Sequence, residues 1–438
     1  MQAVEEQQSL TREQKEAVGL LSIGTFLEYF DLMLYVHMAV LLNELFFPKT
    51  DAHTAMLVTA FSFCSTYLLR PVGALIFGYI GDNIGRKHTV IITTFLMALS
   101  SLTMFLLPTY AQIGIAATWI VTICRIIQGM SSMGEIVGAE LYLTELTRPP
   151  KQYAVVALIS VMSTLGLFGA LGVATIITKY GFNWRYAFLF GAGIALIGSM
   201  ARTALRETPE FVDARKRLII KTDLKISEKI NKKVAISYFF LELGYPIWIY
   251  VSLIHYGAIL KNNFGYNASS VIEHNFLIAT ISLLTGLLIL FLVTKIHPLQ
   301  IMKIRATIFT IFLPFFIFLL ESEMTVLNIL LLQLFIKIFN PAAFPSNSII
   351  YKYFPVLKRF SAVSMLYAIS RVLMYLITSF GTIYLTEYFG TYGLLILIIP
   401  ILVGYFYGLN TFINLEKEAG NYPKKTSWNI VYLNKVYL

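Results

Sequence analysis

Glu28 and Asp31 stand three residues apart inside a long apolar run, the stretch from Gly24 to Tyr35 reading GTFLEYFDLMLY. On a helix that spacing puts both carboxylates on one face, with Tyr35 one turn further on. An ionisable group at membrane depth is costly, so it faces a protein interior or a water-filled cavity and marks a transport route or proton relay. Two acids this close are a natural place to hold a proton and hand it on. The plainer alternative is a polar patch that pairs helices.

The elements that must position these acids are read from composition. The 438 residues are 57% hydrophobic and only 13% charged, against about 25% charged in a soluble domain. The chain is therefore expected to be an integral membrane protein. Apolar stretches of about 20 residues, rather than alternating ten-residue ones, specify helices and not an outer-membrane barrel. Twelve are predicted, at 17–43, 55–81, 88–108, 113–146, 154–178, 186–205, 234–260, 275–296, 305–321, 325–352, 361–386 and 392–412. The fold class is all-α, with twelve transmembrane helices in two six-helix bundles. The expected organisation is an N-terminal segment 1–16, a first bundle 17–205, a linker 206–233, a second bundle 234–412 and a tail 413–438 without sustained heptads. The linker carries nine Lys/Arg and too little apolar content for a core of its own.

With the N-terminus inside, the inner segments hold 25 Lys/Arg and the outer loops four, namely Lys49, Lys179, Arg185 and Lys261. The positive-inside rule then places both termini in the cytoplasm. It also accounts for the net charge of +10 without nucleic acid, since the excess lies against the anionic leaflet. The expected partners are a small-molecule solute and the lipid bilayer, with no obligate protein partner evident. Cys64 and Cys124 both lie in apolar runs, so neither a disulfide framework nor a metal site is expected. No resident cofactor is expected either. The six histidines are scattered, and only His255 lies well inside a segment, which leaves a membrane enzyme without a nucleophile–base set.

At a rise of about 1.5 Å per residue, Arg70 and Arg125 reach the same mid-membrane level as Glu28 and Asp31. Glu242, Lys337 and Arg371 reach it from the second half. Unpaired, each would cost several kcal/mol, so ion pairs across a shared cavity are expected in this layer. On the fourth segment Gln128, Glu135 and Tyr142 recur every seven residues as a polar stripe. Gly129, Gly134 and Gly138, with Ser131 and Ser132, read as close-packing positions. Glu145 reads as an interfacial residue. The loop after the second segment, Gly78 to Lys87, reads GYIGDNIGRK. Its glycines allow a tight turn, while Asp82 and Arg86 can pair or satisfy helix ends.

That loop resembles the signature of the major facilitator superfamily, with Asn83 where a basic residue is usual. Finer details resemble its metabolite:proton symporter branch, and make the chain proline/betaine transporter-like. Gly24 to Asp31, Arg70-Pro71-Val72-Gly73, Arg125-Ile126-Ile127-Gln128-Gly129 with Gly134-Glu135, and Arg206-Glu207-Thr208-Pro209-Glu210-Phe211 are similar to motifs of that branch. Tyr353-Phe354-Pro355 with Arg359 is a thinner match in the second half. The resemblance implies the major facilitator fold, two bundles alternating around a central site lined by helices one, four, seven and ten. Glu28, Asp31, Tyr35, Arg125, Gln128, Glu135, Glu242 and Lys337 fall on those helices, and Arg70 on the second. Gly78, Asp82, Gly85, Arg86 and Lys87 would form a cytoplasmic gate. The matching loop of the second half, Thr294 to Leu299, has lost its glycines and aspartate, so gating is expected to be asymmetric.

The expected activity is proton-coupled symport of a small polar, carboxylate-bearing or zwitterionic solute across a bacterial inner membrane. Glu28 and Asp31 would carry the proton, which is the coupling ion. Arg125 and Lys337 would hold the carboxylate, with Tyr29, Phe30 and Tyr35 a partial aromatic lining if the solute has an amine. An exchanger or facilitator of organic acids, and a transport-dead sensor, are the alternatives.

Overall fold

Within hydrocarbon every backbone amide must be bonded inside its own segment, and helices meet that condition. The computed structural model describes residues 7–38, 42, 45–48, 67–220, 229–321 and 325–423. Lys49, Cys64, the start of the second predicted segment, linker residues 221–228 and tail residues 424–438 lie outside them. The first half contains α1 (Arg12–His37), α2 (Arg70–Asn83), α3 (Arg86–Leu106), α4 (Ile115–Leu146), α5 (Lys151–Tyr180) and α6 (Arg185–Arg202). Among the described residues, eight helices of the chain are long and apolar enough to cross a membrane.

The charged linker is partly helical. It carries α7 (Pro209–Ile220), started by Pro209 at the first helical position with Glu210 in the first turn, both favourable there. Phe211 is buried beneath the Arg86 guanidinium, 4.6 Å from its ring centroid, so one aromatic anchor docks a helix too polar to have its own core.

The second half opens with α8 (Lys232–Glu242) and α9 (Gly244–Ile249), and runs through a π-helical turn at Tyr250–His255 into α10 (Tyr256–Phe264). Pro246 has no N–H, so the Glu242 carbonyl loses its intrahelical donor. Arg371 Nη1 donates to that carbonyl instead, at 3.1 Å. Then come α11 (Ala268–Leu292) and α12 (Pro298–Glu321), the latter starting seven residues before the predicted 305. The predicted span 325–352 is broken into α13 (Val326–Phe339) and α14 (Asn347–Tyr351). Pro341 and Pro345 lie between them, where a continuous helix would lack donors. Side chains satisfy the opened backbone. Arg305 Nε donates to the Ile338 carbonyl at 3.1 Å, Trp248 Nε1 to that of Pro341 at 2.9 Å, and the Tyr405 hydroxyl to that of Ala342 at 2.9 Å. The chain closes with α15 (Val356–Phe389) and α16 (Gly393–Glu418).

Within the first half α1 packs on α5, and α3 on α6 and α4; within the second α8 packs on α16. The two broadest contacts between the halves, among the described residues, are α2 with α15 and α5 with α11. Small residues set the first approach: a Cβ on Gly78 would lie 2.8 Å from the Cα of Ser361. The second carries the loop that has lost its glycines and aspartate. Here His297 is half-buried between two rings, with centroids 5.9 Å from Tyr153 of α5 and 5.3 Å from Tyr422. Neither ring nitrogen has a hydrogen-bond partner among the described residues. An aromatic contact thus stands where the first half uses ions.

Burial pushes the His297 pKa down to about 4 from an ordinary 6.5. The neutral ring is favoured in the folded protein, so this contribution is complete above pH 6.5 and lost as the pH falls towards 4. Melting of the purified protein should drop on acidification through that window, by up to about 1.4 kcal/mol per pH unit from this group. His297→Phe should flatten the drop; identical acid sensitivity in the variant would remove His297 as its cause.

Candidate functional site

Seven arginines among the described residues are nine-tenths or more buried, on α2, α3, α4, α6, α12 and α15: Arg70, Arg86, Arg125, Arg202, Arg305, Arg359 and Arg371. Their partners differ from those that depth alone predicts. Glu135 meets Arg202, with Nη1 to Oε2 at 2.7 Å. Its other oxygen accepts from Thr93 at 2.8 Å and Thr94 at 2.5 Å. Arg202 also donates to Thr94 and, at 3.2 Å, to the Leu20 carbonyl. It has room because Gly24 lacks a side chain; a Cβ there would overlap the guanidinium. The seven-residue stripe therefore splits: Glu135 faces α3 and α6, Tyr142 donates to the Arg206 carbonyl, and Gln128 serves Arg125.

Arg125 was expected to pair with the acids of α1. It donates instead to Gln128 Oε1 at 2.9 Å, one turn along its own helix, and lies 4.1 Å from the Tyr35 ring centroid. It forms no ion pair among the described residues. Asp31 accepts from Ser101, and its second oxygen has no hydrogen-bond partner among the described residues. Neither oxygen of Glu28 has one, although the residue is only 2% exposed. Glu242 does not face these acids either. It pairs with Arg371 Nη2 at 2.6 Å, because the carbonyl freed by Pro246 draws that guanidinium to it. Lys337 is half-buried in the last turn of α13 and forms no ion pair among the described residues.

Between the halves lies a water-sized cavity of about 10 Å³. Tyr29 on α1 and Arg70 on α2 line one side, Tyr245 on α9 and Arg371 on α15 the other. Arg70 lies 4.5 Å from the Tyr67 ring, and Arg371 4.0 Å from Tyr245 and 4.5 Å from Tyr367. Tyr67 and Tyr375 close the cavity with ring centroids 4.2 Å apart. Of the three aromatics expected as lining only Tyr29 reaches it, since Tyr35 lies under Arg125 and Phe30 stacks on Phe26 at 6.0 Å. Depth and charge pointed to Arg371 but not to its tyrosines. The signal was present: Tyr367, Arg371 and Tyr375 recur at four-residue spacing on one helix face.

The Asp82 loop builds the second cluster. Gly85 has φ 147°, open to glycine alone at no steric cost. That turn lets the Glu207 carboxylate accept from the amides of Arg86 at 3.0 Å and Lys87 at 3.3 Å, capping α3. Arg86 grips Glu145 with two bonds of 3.1 Å and Asp82 with one of 3.2 Å. It also reaches across to the Val356 carbonyl of α15 at 2.6 Å, while Asp82 accepts from the Phe360 and Ser361 amides at 3.0 and 2.8 Å. Glu145, expected at the membrane interface, is fully buried and central: it also binds Arg359 at 3.0 Å and Thr208 at 2.6 Å. Arg359 continues to Glu210 of α7 at 2.9 Å. One turn before Glu145 on α4, Glu140 accepts from Asn347 at 2.9 Å, Tyr351 at 2.6 Å and Ser160 at 3.1 Å. These contacts shut the cavity at this end by joining the halves.

Comparison with known proteins agrees with this architecture. Residues 18–237 match the family described as sugar (and other) transporter. The proline/betaine transporter of Salmonella typhimurium is 33% identical over 204 residues, covering 45% of this chain and 41% of that protein. An inner membrane metabolite transport protein of Escherichia coli is 34% identical over 197 residues, 43% of this chain and 45% of that one. The match thus spans less than half the length of these relatives. Among solved structures, a proton:xylose symporter of the major facilitator superfamily bound to 6-bromo-6-deoxy-D-glucose superposes with a TM-score of 0.72 at 16% identity, covering 92% of this chain and 95% of that one. The human organic anion transporter MFSD10 gives 0.65 at 14%, covering 92% and 99%. These proteins are named as transporters, not enzymes. Sequence and fold together place the chain in the sugar (and other) transporter family of the major facilitator superfamily.

Proposed function

We propose that this chain is a secondary active transporter of twelve membrane spans, with both termini cytoplasmic, in a bacterial inner membrane. It couples proton entry to uptake of a small polar solute bearing a carboxylate. The observation that carries this reading is the cavity between the halves, lined by Arg70 and Arg371, with the buried, unbonded carboxylate of Glu28 on the residue before Tyr29 of its lining. An ionised carboxylate without a donor is expensive to bury. A proton on Glu28 or Asp31 removes that charge and permits the closed arrangement. Release of the proton on the far side restores the charge and favours opening. The Asp82–Arg86–Glu145–Arg359 cluster is then the cytoplasmic gate, made in one state and broken in the other. The Tyr67–Tyr375 contact lies at the opposite end of the cavity. Arg70 and Arg371 take over the carboxylate-holding role first assigned to Arg125 and Lys337, because they line the cavity.

In liposomes carrying the full chain, an inward proton gradient should drive accumulation of a labelled solute from a panel of proline, betaine, 2-oxoglutarate and citrate. Glu28→Gln or Asp31→Asn should cut gradient-driven accumulation at least tenfold while sparing counterflow. Uptake indifferent to the gradient, with counterflow intact, identifies an exchanger and sinks proton coupling; ligand binding without any flux identifies a sensor. Glu145→Gln should weaken the closed gate by about 3 kcal/mol, the lower end for breaking a buried ion pair. A Ser364→Cys reporter, buried in this state, should then be labelled faster by a maleimide from the cytoplasmic side. Unchanged labelling would show that the cluster is not the gate.

A further inference from the structure

The aromatic surface of the central cavity is already occupied by the protein's own cations. A tyrosine face attracts a cation through its ring quadrupole, and five tyrosines line this cavity. Taken as rings alone, they would make a box for a quaternary or secondary ammonium. The Arg70 guanidinium, however, lies over Tyr67, and that of Arg371 over both Tyr245 and Tyr367, at 4.0 to 4.5 Å from the centroids. A solute cation entering there meets two positive groups rather than three open faces.

The two guanidiniums are not equivalent. Glu242 neutralises Arg371 at 2.6 Å. Arg70 forms no ion pair among the described residues, and its Nε lacks a hydrogen-bond partner there. The Nε of Arg371 is also without one. With Glu28 protonated, the cavity holds one uncompensated positive charge and two buried N–H donors. That is the chemistry of a carboxylate site, and it belongs to a state that already carries the coupling proton.

We propose that the solute is an organic anion with no cationic group, its carboxylate on Arg70 and its uncharged body among the tyrosine rings once the halves part, since the closed cavity has room for a single water. Arg70 and Arg371, by covering Tyr67, Tyr245 and Tyr367, convert an aromatic box into one that rejects ammonium-bearing zwitterions. The selectivity thus works by repulsion as much as by attraction. This assignment rests on the transport reading for its biological meaning, but binding tests it separately.

The test uses isosteric pairs that differ only in the cation: glycine betaine against 3,3-dimethylbutanoate, and proline against cyclopentanecarboxylate. Binding to the purified full chain is followed at mildly acidic and at neutral pH, both above the range in which the probes' own carboxylates take up a proton. The carbon isostere of each pair should bind at least tenfold tighter than its zwitterion. Arg70→Gln should erase that preference, and Arg70→Lys should keep it; melting of each variant shows that it is folded. Equal or tighter binding of the zwitterions, or no binding of either pair at millimolar concentration, overturns the assignment. A preference for the isosteres without gradient-driven flux would instead overturn the transport reading and leave the anion site standing.

Discussion

A guanidinium below the headgroup layer carries five N–H donors and a permanent charge, and only the protein can meet them there. Several of the contacts between helices among the described residues follow from that requirement. Arg202 ties α6 to Glu135 on α4, to Thr94 on α3 and to the α1 backbone. Arg371 ties α15 to the broken helix at Glu242. Arg86 joins α2, α4 and α15. Breaking one buried pair costs about 3–5 kcal/mol, a large share of the roughly 5–15 kcal/mol that holds a domain together. Helix positions are therefore set by where the arginines find partners.

The same requirement makes the two joins between the halves behave differently. The Asp82 cluster is directional and charged, so separating the halves leaves several groups needing new partners at once, and water can supply them only at the membrane surface. The His297 contact is apolar and ring-on-ring. It weakens gradually with distance and demands no replacement donor. Under the proposed transport cycle the first join would switch between made and broken, while the second could adjust its distance. The loss of the aspartate from the second-half loop is compensated by packing rather than by another charge.

Helix existence was legible in the sequence because a run of about 20 apolar residues has one stable form in hydrocarbon. The linker helix was less so. Its support is a buried ring, Phe211 under Arg86, and the Glu210–Arg359 pair, both to residues more than a hundred positions away, and composition does not register such anchors. The break near Pro341 was hidden by the length of the apolar run, although the prolines announced it. Glu145 was misread because its position near the end of an apolar segment says nothing of the α7 and α15 side chains that enclose it.

Local spacing also determined which side chains share a helix face, and so brought Glu28 to Asp31 and Asp82 to Arg86 without any tertiary information. Depth along the helices identified the charged layer, since rise per residue is fixed. Neither quantity chooses a partner across a helix pair. That Glu135 meets Arg202 of α6 depended on the missing side chain at Gly24, which leaves room for the guanidinium. Whether Arg371 lined the cavity alone or with Glu242 depended on a proline. The sequence by itself determined the charges, their depth and their helices; only the packed structure decided the pairing, because pairing is set by azimuth and close approach between helices.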